Sequence, residues 1–133
     1  MSANIVALYG AILAIGFVGL SVRTLRLRRT LNIAIGDAGN PIMLRAMRVH
    51  SNFAEYVPLS LILILLVELN GAPGWLVHLL GAFLIVGRSA HAYGVSQVNE
   101  NYRYRVLGMA MTFTTLLVCS ALLLLSYVAG AGA

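Results

Sequence analysis

Three short stretches of a largely apolar chain carry residues that could do chemistry. Arg45, Arg48, Asn52 and Glu55 lie in the first, Arg88 and His91 in the second, and Arg105, Met109 and Thr112 in the third. At 100° per residue the first four fall within an arc of roughly 80° on one side of a helix, and His50 points almost to the opposite side. Arg88 and His91 are three apart and share a helical face, as do Arg105, Met109 and Thr112. A guanidinium is planar, permanently charged and binds carboxylates through two parallel hydrogen bonds. Glu55 alone cannot neutralise so many of them, so the cluster asks for an added anion. Exposed to lipid, the Glu55 carboxylate would cost about 3 kcal/mol, so it is expected to face protein and find a cation. Arg48 is about two turns away along the helix, which makes Arg88 on a neighbouring helix the expected partner. The competing reading is a structural Arg–Glu pair with no ligand.

The elements that position these residues follow from composition. Of 133 residues, 60% are hydrophobic and 10% charged. Soluble domains are nearer a quarter charged, so the chain reads as an all-α membrane protein in one domain spanning residues 1–133. All nine basic residues are Arg, giving a net charge of +5. In so apolar a chain that charge points to membrane-flanking loops and a small anionic ligand, with no nucleic-acid partner. The single Cys119 sits in an apolar run and reads as a core residue; no disulfide framework or thiolate metal site is available. No repeat, Gly-rich phosphate loop or metal-ligand cluster is present in the sequence.

Four membrane-spanning helices are predicted over about 5–24, 41–69, 74–97 and 104–129. The second and third reach spanning length only when their polar halves are included. The run Asn70-Gly71-Ala72-Pro73-Gly74 reads as a tight turn, so helices two and three form a hairpin with both polar halves at one end. Arg23, Arg26, Arg28 and Arg29 follow the first apolar run, Arg103 and Arg105 lie between the third and fourth apolar runs, and the opposite ends carry no Arg. The positive-inside rule then places both Arg-bearing loops in the cytoplasm and both termini outside. Because the charges follow the first apolar run, that run reads as a retained helix and not a cleaved signal. Gly10, Ala14, Gly16 and Gly19 are candidates for close helix contact. Arg28, Arg29 and Arg103 read as snorkelling toward headgroups, Glu68 as interfacial, and Asp37 as a loop or cap residue; His78 is assigned no role.

The string Arg48-x-His50-x-Asn52-x-x-Glu55-Tyr56-x-Pro58, then Gly87-Arg88-x-x-His91, then Arg105-x-x-Gly108-Met109 resembles the MAPEG family, the membrane-associated proteins in eicosanoid and glutathione metabolism. The likeness covers helices two to four and is closest in flavour to short bacterial members, which implies a bacterial inner-membrane location. It implies a four-helix bundle assembled as a homotrimer, with glutathione as cosubstrate held between subunits near the cytoplasmic side. Arg48, Asn52, Glu55, Tyr56, Arg88 and His91 of one subunit would bind the tripeptide, with Arg26 and His50 reaching in from the neighbour. The family position that stabilises the glutathione thiolate falls on Arg105, with Arg103 as the alternative. The implied reaction is glutathione transfer or peroxide reduction on a lipophilic electrophile arriving from the bilayer lipids, a detoxification role. Two departures stand against eicosanoid chemistry: Val95 where members acting on eicosanoids often have Tyr, and Ser51 where prostaglandin-forming members have a second Arg. Tyr93 is out of register with either.

Two other classes remain. One is a non-catalytic membrane protein that keeps the fold without the thiol chemistry. The other is a small four-helix transporter, which would place a proton-coupled carboxylate in its first helix; residues 1–22 contain no charged side chain.

Overall fold

A computed structural model describes residues 3–131. They form four helices: α1 (Asn4–Leu31), α2 (Pro41–Leu69), α3 (Gly74–Ser96) and α4 (Tyr102–Ala131). Each is long and apolar enough to cross a membrane. The central helices α2 and α3 pack on one another; α1 lies against both, and α4 packs most extensively on α3 and also touches α2. Contacts between α1 and α4 are absent among the described residues.

Local chemistry sets the helix ends. Helix α1 runs on to Leu31, past its apolar stretch, and stops where Asn32 turns left-handed, with φ 52°. The Asn32 and Ile33 amides then donate to the Arg29 and Arg28 carbonyls, which satisfies the last turn. The Arg28 guanidinium bonds the Ile33 and Gly36 carbonyls, so it ties down the following loop instead of reaching for headgroups. Asp37 accepts from Gly39 N in that loop. Asn40 opens α2, its Oδ1 accepting from the amides of Ile42 and Met43 with Pro41 in the first helical position. Gly71, at φ 82°, closes α2: its amide and that of Ala72 donate to Glu68 and Val67.

The buried stripe on α2 follows helical spacing through Met43, Ala46, Val49, Phe53, Val57, Ile64 and Val67. Toward the turn between α2 and α3 it meets Val77, Leu80 and Leu84 of α3, Val6 and Leu13 of α1, and the fully buried Cys119 of α4. Many outward residues are apolar, including Ile15, Leu117 and Leu125, as a lipid-facing surface requires.

Glycines bring α3 and α4 together. A Cβ on Gly108 would lie 2.7 Å from the His91 Cβ, and one on Gly94 would lie 2.8 Å from the Tyr104 Cβ. The close contacts expected from the small residues of α1 are not made within the chain: Gly16 and Gly19 have open space before them. Gly10 and Ala14 border an apolar groove with Phe53 and Pro58 of α2.

Candidate functional site

The α3–α4 contact leaves room for one large polar side chain between three helices. Arg88 of α3 is only 3% exposed. Its Nε donates to Thr112 Oγ1 of α4 at 3.0 Å, and its Nη1 donates to Asn52 Oδ1 of α2. Nη2 lies 3.4 Å from the Gly108 carbonyl and 3.3 Å from Met109 Sδ. The Tyr56 ring lies under the guanidinium, 5.6 Å from Cζ to centroid. All these partners are neutral. The pairing of Arg88 with Glu55 expected from the sequence is therefore not made. Asn52 stands one turn closer on α2 and takes the bond, whereas Glu55, rotated about 60° further round, is exposed on the outer face of the chain.

Beside Arg88 opens a cleft of about 250 Å³, walled by Arg48 and Asn52 of α2, His91 and Val95 of α3, and Arg105 and Met109 of α4. Arg48 is exposed and His91 is buried. Arg105 faces the cleft, whereas Arg103 is exposed near the start of α4, its amide donating to Asn101 Oδ1. One carboxylate serves this region. Glu100, in the loop between α3 and α4, lies 2.8 Å from Arg45 Nη1 and 2.9 Å from Arg105 Nη2 through Oε2. Its Oε1 is 2.8 Å from Arg105 Nε, yet off the N–H direction, so the contact is an ion pair without a well-formed hydrogen bond. Arg45 also donates to the Val95 carbonyl. Two guanidiniums, of Arg45 and Arg105, pair with the one buried carboxylate, while Arg48 on the cleft wall and the buried Arg88 have no carboxylate partner among the described residues. The surplus charge can hold an anion.

Other sequence candidates lie apart. His50 is on the α1 side of α2, its Nε2 2.9 Å from Ser21 Oγ and its ring stacked 4.8 Å from Phe17. It lines a second cavity of about 410 Å³ with Thr24, Arg28 and Ser51, and Arg48 borders both cavities. Arg26 is exposed on α1 and lines neither. Tyr56 is half-buried, edge-on to Phe113 at 5.7 Å. Glu100 went unnoticed in the sequence. Its position five residues before Arg105, in a chain with only four acidic residues, was the available signal.

The family description that matches residues 6–125 is that of the MAPEG family. The chain belongs to the MAPEG family. It is also 38% identical over 112 residues to the inner membrane protein YecN of Escherichia coli K12, covering 84% of each chain. The same protein from Escherichia coli O6:H1 matches equally. The chain is therefore a multi-pass integral membrane protein of the MAPEG family, and the cleft beside Arg88 is where its polar side chains converge.

Proposed function

We propose that this MAPEG protein binds glutathione and acts as a glutathione transferase or peroxidase on lipophilic electrophiles. The observation that carries the reading is the excess of guanidinium over carboxylate around the cleft. Glutathione offers two carboxylates, an ammonium, amides and a thiol. In this reading Arg48 takes a carboxylate in two-point fashion, Asn52 meets an amide, and Arg88 holds Asn52 in place from behind. The exposed Glu55 answers the ammonium. His91 and Tyr56 shape the wall beside Arg88.

The cleft of one chain accommodates part of a tripeptide, and a neighbouring subunit of a homotrimer completes it with Arg26 and His50. Both termini lie outside the cytoplasm of a bacterial inner membrane, with the Arg-rich loops inside. A thiol with an ordinary pKa of about 8.5 is mostly protonated at neutral pH, and a cation beside it favours the thiolate. Arg105 is that cation. In transfer, the thiolate sulfur forms a bond to the electrophilic carbon, and the leaving group departs with its electron pair.

The test is a thermal-shift titration of the detergent-purified protein with glutathione. A ligand that binds only the native state stabilises it by about 2.7 kcal/mol at a hundredfold excess over Kd. The melting temperature is expected to rise with glutathione; no rise at millimolar ligand overturns the reading. A second reading, a glutathione-binding protein without thiol chemistry, is favoured by one observation: Glu100 already counters Arg105. Ultraviolet absorbance of bound thiolate separates the two, since it accompanies binding only in the catalytic protein.

A further inference from the structure

The cleft carries its own anion. Glu100 sits in the loop between α3 and α4, yet its side chain is only 3% exposed, enclosed by Arg45 of α2 and Arg105 of α4. Its two oxygens lie along the Nε/Nη2 edge of Arg105, one of the edges a guanidinium offers for two-point carboxylate binding. Arg105 is also a wall of the cleft, as is Val95, whose carbonyl Arg45 holds. The remainder of the loop is lightly held: Gln97, Val98 and Asn99 are all exposed.

We propose that Glu100 is a built-in competitor for the anion-binding cleft, docked on Arg105 in the free protein and displaced from it when an acidic ligand binds. The proposal rests on reading the cleft as the site of an acidic thiol, and it adds regulation of that site. Two anions on one guanidinium repel each other, so a ligand thiolate or carboxylate that approaches Arg105 binds against Glu100. The affinity of the cleft is thereby lowered, and ligands that bring more than one anionic group are favoured because they also engage Arg48. Displacement would free the loop, since Glu100 anchors it to both α2 and α4.

Calorimetric titration of purified wild-type protein and Glu100→Gln with glutathione tests this. The variant keeps the side-chain shape and removes the charge. It is expected to bind about tenfold more tightly, with the difference shrinking as salt rises. Backbone amides at 97–101 are expected to exchange faster in the glutathione-bound wild type than in the free protein. Equal or weaker binding by Glu100→Gln, with wild-type binding intact, overturns the proposal and leaves Glu100 as a residue that orients Arg105. If neither protein binds glutathione, the functional reading falls and the competitor falls with it. Should Glu100→Gln fail to fold, Glu100→Asp carries the test. One methylene shorter, it cannot bridge Arg45 and Arg105 as closely, so tighter binding than wild type supports the proposal and equal or weaker binding overturns it.

Discussion

The two ends of this bundle handle ionised groups in opposite ways. At the end holding the turn between α2 and α3, the Glu68 carboxylate accepts from the backbone amides of Ile5 at 3.0 Å and Val6 at 2.8 Å. Helix α1 has no side-chain cap of its own, and Glu68 supplies one from another helix. Nearby, Tyr9 Oη lies 3.1 Å from His78 Nδ1, and the Tyr9 ring packs over Gly81. Donors and acceptors there are matched. At the arginine end, one carboxylate pairs with Arg45 and Arg105, Arg48 has no carboxylate partner among the described residues, and Arg88 is buried among neutral partners. A balanced set of polar groups reads as architecture, and an unbalanced set reads as a place for something else to bind.

Four substitutions would break or sharpen that contrast. The largest effect is expected for Arg88→Leu, which leaves Asn52 and Thr112 without their buried donor. A loss of about 3 kcal/mol in thermal or denaturant unfolding is expected, together with loss of glutathione binding. Gly108→Val comes next, at about 2 kcal/mol, because its side chain would force α4 away from His91 and Gly87. Glu68→Ala is expected to cost about 1 kcal/mol by uncapping α1 while leaving the glutathione Kd unchanged. A changed Kd there would dissolve the distinction between the two ends. Tyr9→Phe removes one exposed hydrogen bond, and a loss of about 0.5 kcal/mol is expected in the same unfolding measurement.

The membrane-spanning pattern was legible because length and hydropathy decide it locally. So was the convergence of Arg48, Asn52, Arg88 and His91, because helical spacing and a short hairpin fix which faces meet. Partner choice within the cluster was not legible. Asn52 and Glu55 lie on the same polar arc, and only the rotation of α2 against α3 decides which of them Arg88 reaches. Glu100 was only faintly marked, by its position five residues before Arg105, and a carboxylate in a loop does not reveal which two helices will close around it. The small residues of α1 make no close contact within the chain, where Gly16 and Gly19 face open space. Gly108 and Gly94, by contrast, are set by a contact between helices that the sequence pattern does not mark.

The Glu68 clasp bears on how the chain assembles during synthesis. Ile5 emerges from the ribosome 63 residues before the carboxylate that will accept a hydrogen bond from its amide. Until the second helix has inserted and turned back, the leading tip of the first has bare amides, so its docking waits on a later arrival and its ends are secured in reverse order.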